Sequence, residues 1–289
     1  MYRIVHRKDL NPTVVQMEIE APLVARKARP GQFIILRADE DSERIPLTIA
    51  GVGPEEGTVK IIFQIVGATT ERLNRKHEGD FIPDFAGPLG KPTETEGIRR
   101  VCIVGGGVGC AIALPVAEAF HALGAHVTSI AGFRNRDLVI LENEFRACSD
   151  ELILMTDDGT YGREGNVTLP LKEMLDAGQT FDRIITIGPL IMMKFVVKTA
   201  QPFGVPVTVS MNPIMIDGTG MCGGCRLTLT RDGKRVTAFA CVDGPDFDGY
   251  EVDFDEAMSR SRMYAPFERE AFAREREESC RLLRQKEGG

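Results

Sequence analysis

Apolar and polar positions alternate in short runs along the first 97 residues. Val14-Val15-Gln16-Met17-Glu18-Ile19 repeats with a period of two, and Val59-Lys60-Ile61-Ile62-Phe63-Gln64-Ile65 does so in part. That is the pattern of strands with one buried face. Gly31-Gln32-Phe33-Ile34-Ile35-Leu36 is a further short apolar run behind a Pro-Gly turn. Several such runs separated by Gly and Pro predict a small β-barrel. Helical spacing in this part is confined to Thr70 through Lys76.

The pattern changes near residue 98. Val101-Cys102-Ile103-Val104 is wholly apolar, and a helical stretch from Ala111 to Leu123 follows it. His126-Val127-Thr128-Ser129-Ile130, Glu151-Leu152-Ile153-Leu154-Met155 and Arg183-Ile184-Ile185-Thr186-Ile187 continue the alternation of strands with helices. This predicts a parallel sheet covered on both faces, a Rossmann-like domain over 98–210. Residues 211–252 are rich in Gly and Cys with short β stretches. Residues 253–289 are charged and helical, with Ala271-Phe272 and Leu282-Leu283 as sparse apolar anchors.

Composition narrows the function. The chain has 289 residues, 43% of them hydrophobic, which is ordinary for a folded protein of two or more domains. Its net charge of −7 argues against a nucleic-acid groove. No apolar run approaches the roughly 20 residues that span a bilayer. The N-terminus enters an alternating pattern at once, so no signal peptide and a cytoplasmic location are expected. Of the seven cysteines, Cys222, Cys225 and Cys241 cluster. In a cytosolic chain such a cluster reads as a metal site rather than a disulfide framework. Cys102, Cys110, Cys148 and Cys280 show no partner pattern. Cys102 reads as a small buried hydrophobe.

Five motifs carry candidate chemistry. Gly105-Gly106-Gly107-Val108-Gly109 lies between a strand and a helix, the context in which small residues let backbone amides approach a pyrophosphate. The spacing departs from a full G-x-G-x-x-G, because Cys110 and Ala111 follow. A second glycine turn, Gly188-Pro189-Leu190, comes at the end of another strand, where ligands bind in such sheets. Arg44-Ile45-Pro46-Leu47-Thr48 places a guanidinium able to grip a pyrophosphate four residues before a hydroxyl, although by itself it reads more readily as a surface Arg ahead of a strand. Gly67-Ala68-Thr69-Thr70 is either a phosphate-binding helix start or a plain N-cap. In Asp217-x4-Cys222-x2-Cys225-x15-Cys241, the thiols match the last three ligands of a plant-type [2Fe–2S] site, with Asp217 where the first Cys stands. A structural zinc site accepts the same donors, so spacing alone leaves zinc, or three unliganded thiols, open.

Taken in order, these motifs are identifiable. With Gly87-Pro88-Leu89-Gly90, Thr156-Asp157-Asp158-Gly159-Thr160-Tyr161-Gly162 and Cys241-Val242-Asp243-Gly244-Pro245, the chain resembles the electron-transfer subunits of the ferredoxin reductase superfamily. It looks most like the small subunit of NADH-dependent ferredoxin:NADP+ oxidoreductase (sulfide dehydrogenase), and is similar to the electron-transfer subunit of class 1B dihydroorotate dehydrogenase. The resemblance covers about residues 1–252. It implies that Arg44, Pro46, Leu47 and Thr48, with Gly67, Ala68, Thr69 and Thr70, hold FAD, Thr48 lying near flavin N5. It implies that Gly105, Gly107, Gly109, Arg134, Asp158, Gly188 and Pro189 bind a nicotinamide nucleotide, and that Asp217, Cys222, Cys225 and Cys241 hold a [2Fe–2S] cluster. Arg134 and Arg136 are able to accept a 2′-phosphate, so the residues leave NADH and NADPH open, while the family implies NADH. Asp217 in place of a cysteine favours the ferredoxin:NADP+ type.

The expected function follows from the cofactors. A nicotinamide gives up two electrons as a hydride, a cluster takes one at a time, and a flavin converts between them. The family also implies a larger flavin and iron–sulfur partner subunit, ferredoxin as a partner through the complex, and electron bifurcation. Two other readings are an electron-transfer subunit for a dihydroorotate dehydrogenase and a zinc-stabilised nucleotide sensor.

Overall fold

The structure, a computed structural model, describes the backbone of residues 1–287 and side chains through residue 278. Cys280 and the Leu282-Leu283 pair lie outside the described side chains.

The alternating N-terminal runs form β1 (Tyr2–Asn11), β2 (Val14–Glu20), β3 (Phe33–Arg37), β4 (Arg44–Gly53), β5 (Thr58–Gln64), β6 (Phe81–Ile82) and β7 (Asp84–Leu89), with helices α1 (Pro22–Ala25) and α2 (Ala68–Asn74). The antiparallel order is β6-β1-β2-β5-β4-β3-β7. Its two edge strands are consecutive in sequence with Pro83 between them, so the chain itself brings the edges together and closes a barrel. Val15, Met17 and Ile19 pair across the ladder with Phe63, Ile61 and Val59, and all six fill the interior. Ile62 breaks the alternation for a reason. With Val14 and Ala50 it faces outward and packs in one cluster with Ala111, Leu114 and other residues of the helix described next.

The second sheet follows the predicted alternation: β8 (Arg100–Gly106), α3 (Gly109–Ala122), β9 (His126–Phe133), α4 (Glu142–Cys148), β10 (Glu151–Thr156), β11 (Arg163–Glu164), α5 (Thr168–Asp176), β12 (Arg183–Ile187), α6 (Leu190–Ala200) and β13 (Val207–Ser210). These strands are parallel in the order β11-β10-β9-β8-β12-β13. The chain leaves β8 toward β9 and later returns to its other side at β12. A crevice therefore opens at the carboxyl ends of β8 and β12, where ligands bind in such sheets.

The C-terminal part forms a hairpin, β14 (Arg226–Arg231) and β15 (Lys234–Phe239), then β16 (Asp246–Asp248), α7 (Phe254–Ser261) and α8 (Ala265–Glu287). Asp232 (φ 50°) and Gly233 (φ 73°) turn the hairpin, as left-handed Asp-Gly pairs do. β16 joins the second sheet antiparallel to β13, so the Cys-rich stretch shares a sheet with the Rossmann-like part. α8 does not project freely. The Glu275 side chain is buried and accepts from Arg72 Nε at 2.6 Å and Arg75 at 2.6 Å, which fastens α8 to α2. Among the described residues, no helix is long and apolar enough to cross a membrane.

Candidate functional site

β4 begins a cavity of about 680 Å³. Its first residues are exposed or half-buried, unlike the fully buried Ile49 and Ala50 that follow. Period two divides them. Pro46 and Thr48 face the cavity, whereas Ile45 and Leu47 pack against the barrel core. Any contact of Leu47 with a cavity ligand would therefore run through its backbone. Arg44 is exposed at the strand's start, outside the cavity lining, with no ion-pair partner among the described residues.

The opposite wall comes from the second sheet. Gly107, Gly109, Arg134, Gly188 and Pro189 line the cavity. The parallel register sets Gly105 beside Ile187, which places the two glycine turns side by side. A side chain on Gly109 would have its Cβ 2.5 Å from the Ile187 carbonyl oxygen, so glycine is required for α3 to start this close to β12. Gly105 serves packing instead: its Cβ would lie 2.8 Å from Cys110 Sγ, and its neighbour Gly106 lines the cavity. Asp158 also lies outside the lining, because its carboxylate accepts from Thr160 N–H (3.0 Å) and Thr160 Oγ1 (2.7 Å) and closes its own turn; Asp157 faces the cavity. Three helix N-termini open here: Gly109 begins α3, Thr168 begins α5, and Pro189 precedes α6. Their dipoles make the cavity receptive to an anionic ligand, while at the start of α5 the Thr168 N–H already donates to Asn166 Oδ1 at 3.1 Å.

The Gly67-to-Thr70 turn lies outside the cavity lining and caps α2. Thr70 Oγ1 accepts from Gly67 N–H at 2.9 Å and donates to the Gly67 carbonyl at 2.9 Å, while Thr69 is buried. The sequence did not single out Ser210, Met211, Asn212 and Met215, which complete the wall beside Pro245. Ser210 ends a strand of the sheet, and that position was the available signal.

The Cys-rich loop packs against this wall. Asp217 accepts from Thr219 N–H at 3.0 Å and Cys222 N–H at 2.9 Å, and the Thr219 amide in particular holds its carboxyl below the usual range. Cys222 is exposed and its Sγ accepts from Gly224 N–H at 3.4 Å. Cys225 and Cys241 are buried with sulfurs 3.2 Å apart, and burial pushes the Cys241 thiol up to about 12. The four residues thus divide into two pairs, Asp217 with Cys222 and Cys225 with Cys241. Among the described residues, no three His, Cys, Asp or Glu side chains gather tightly enough for a single metal ion. Two pairs of donors suit a two-iron cluster, and the loop that carries them turns at Gly218, Gly220 and Gly223 (φ 75°, 84° and 66°). Cys102, Cys110 and Cys148 are buried free thiols elsewhere, and burial pushes Cys110 up to about 12 and Cys148 up to about 11.

Residues 212–253 match the iron–sulfur cluster binding domain of dihydroorotate dehydrogenase B. A dihydroorotate dehydrogenase B (NAD(+)) electron-transfer subunit homolog of Thermotoga maritima is 45% identical over 94% of both chains. The chain belongs to the dihydroorotate dehydrogenase B electron-transfer subunit family. A probable member from Methanocaldococcus jannaschii is 36% identical over 78% of this chain and 81% of its own length. A solved structure of an NADH-dependent reduced ferredoxin-NADP oxidoreductase, described in terms of flavin-based electron bifurcation, superposes with a TM-score of 0.88 at 44% identity, over 95% of this chain and 97% of that one. A ferredoxin reductase of carbazole 1,9a-dioxygenase shares the fold at 20% identity and a TM-score of 0.62. Members of the family are oxidoreductase subunits, and this chain is one, with flavin, nicotinamide-nucleotide and iron–sulfur cofactors.

Proposed function

We propose that the chain exchanges hydride with NADH at FAD and passes single electrons through a [2Fe–2S] cluster to a larger flavin and iron–sulfur subunit, within a ferredoxin:NAD(P) oxidoreductase. One observation carries this reading. Phe33 and Met215 of the cavity wall lie in the same packed cluster as Cys225 and Cys241, so the cavity and the thiols are two ends of one continuous core. A bound flavin supplies the exchange between a two-electron hydride and single electrons.

The chain's residues would divide the remaining work. Pro46 and Thr48 would face the flavin ring, with Thr48 near N5, while the Leu47 backbone would support the same edge. Arg44 and the Gly67, Ala68, Thr69 and Thr70 turn would hold the FAD pyrophosphate at the mouth. Gly105 would keep α3 in place, the amides around Gly109 and Gly188 would bind the nucleotide's phosphates, and Gly107 and Pro189 would let the nucleotide approach the two turns closely. Arg134 and Asp158 would flank its ribose. Asp217 and Cys222 would hold one iron, and Cys225 and Cys241 the other. The ferredoxin:NADP+ type is favoured by the 44% identical solved relative and by Asp217. A dihydroorotate dehydrogenase partner is the second reading, favoured by the names of the sequence relatives, and the identity of the co-purifying subunit separates the two. Three buried free thiols suit the reducing cytoplasm.

Anaerobically purified protein is expected to release FAD rather than FMN, at one per chain. Arg44→Ala should weaken FAD retention by about 1.5–3 kcal/mol, the usual worth of a charge-assisted hydrogen bond. The check is flavin content after gel filtration. Release of FMN alone, or equal FAD retention by Arg44→Ala, would contradict the assignment.

A further inference from the structure

Behind the cavity wall sits a carboxyl that neither the nucleotide site nor the cluster uses. Asp246 is the first residue of β16, paired in register with Ser210 at the end of β13. Thr93 Oγ1 donates to its Oδ2 at 2.6 Å, and Oδ1 is buried with no hydrogen-bond partner. Ser210 and Pro245, on either side of it, line the cavity. A buried carboxylate oxygen without a donor is costly, whereas a carboxylic acid there is not. In the protonated form Oδ2 accepts from Thr93, and Ser210, its register partner across the ladder, supplies the neighbouring hydroxyl. Burial accordingly raises the Asp246 pKa, against the opposing effect of the Thr93 and Ser210 hydroxyls. The charged groups on the flanking segments stand apart: Lys91, Glu94, Asp243 and Asp248 are exposed, and Arg183 is bonded to Thr208 on β13.

We propose that Asp246 holds a proton for the cavity and exchanges it through Ser210. This rests on the reading of the cavity as the flavin site. Two electrons arriving singly from an iron–sulfur donor make a hydride equivalent only with one added proton. That proton passes from Asp246 to Ser210 Oγ as the Ser210 hydroxyl proton passes into the cavity, and the carboxylate is reprotonated by the reverse transfer from water in the cavity once the product has left. In the opposite direction, when a hydride enters and its electrons leave singly, the left-over proton returns the same way. Ser210 meets the cavity, and Asp246 acts through it as a positioning and proton-holding residue.

The test uses the full chain in complex with its partner subunit, driving NAD+ reduction with a reduced viologen as the one-electron donor. Asp246→Asn keeps an acceptor for Thr93 but carries no exchangeable acid. It should lower kcat on the order of 10²-fold, the usual scale of acid–base assistance, with KM for NAD+ kept and the pH profile of kcat flattened. Ser210→Ala should do the same in part. Two readouts are independent of turnover. The infrared C=O stretch of a protonated carboxyl should vanish in Asp246→Asn. A raised carboxyl pKa means that the folded state binds more protons between the unfolded value of about 3.9 and the folded value, so wild-type stability should fall as pH rises through that window, with Asp246→Asn lacking this slope. Wild-type kcat and pH profile in both variants, or an unchanged infrared band, would overturn the relay. If wild-type protein holds no FAD, the flavin-site reading fails first. FAD-loaded protein with no effect of either substitution sinks the relay alone.

Discussion

Gly109→Ala is expected to lower stability and to cost the protein its nucleotide affinity. The new Cβ would stand 2.5 Å from the Ile187 carbonyl oxygen and 2.8 Å from Gly188 Cα. Both obstacles are backbone atoms of the neighbouring glycine turn, and no rotamer change relieves them. The start of α3 must then draw back from the end of β12. Overpacking of this kind costs about 1–3 kcal/mol of stability. It also withdraws the α3 amides from the phosphate position, so the Kd for NADH should rise by roughly tenfold or more, the equivalent of about 1.4 kcal/mol. Gly107→Ala is the contrasting case. Its Cβ would meet nothing within 4 Å, and its cost is that of a left-handed residue (φ 55°), about 1–2 kcal/mol. Calorimetric titration with NADH on both variants separates backbone collision from backbone strain. Wild-type affinity in Gly109→Ala would show that the two glycine turns do not form a common site.

Asp217 is expected to ligate the cluster, and its substitutions should divide sharply. The structure shows it closing the loop from 217 to 222 with two backbone hydrogen bonds, the ordinary work of an Asp at a glycine turn. Asp217→Cys and Asp217→Ala both remove those bonds, so the turn alone predicts that they behave alike. Ligation predicts that they differ. Asp217→Cys should retain a full complement of iron with shifted EPR g-values, because thiolate is softer and more covalent toward iron than carboxylate. Asp217→Ala should lose the cluster or assemble it poorly. An unchanged EPR signal at full iron occupancy in Asp217→Ala would mean that another residue supplies the fourth ligand.

The legible parts of the fold were those with local causes. The alternation in residues 14–19 and 59–65 appears as β2 and β5, and the apolar runs from Val101, His126, Glu151 and Arg183 appear as neighbouring parallel strands. Long-range pairing left no local trace. Nothing around Glu275 announces Arg72 and Arg75, some two hundred residues away, and the composition of residues 246–248 does not foretell a place at the edge of the Rossmann-like sheet. The same holds within the site. The glycine loop was visible as a unit, but which glycine packs against Cys110 and which meets the cavity depends on the register with β12. Arg44 and the Gly67-to-Thr70 turn stay outside the cavity lining, whereas Ser210 and Met215 enter it by topology.

One chain joins a hydride carrier to a one-electron carrier. Anaerobic titration of the purified protein with NADH, followed by absorption and by low-temperature EPR on the same samples, tests it most directly. The flavin absorption should bleach and a rhombic signal of a reduced [2Fe–2S] cluster should grow as NADH is added, in chains carrying both FAD and iron. Colourless protein containing zinc, or a flavin that bleaches while iron is absent and no EPR signal develops, would contradict it.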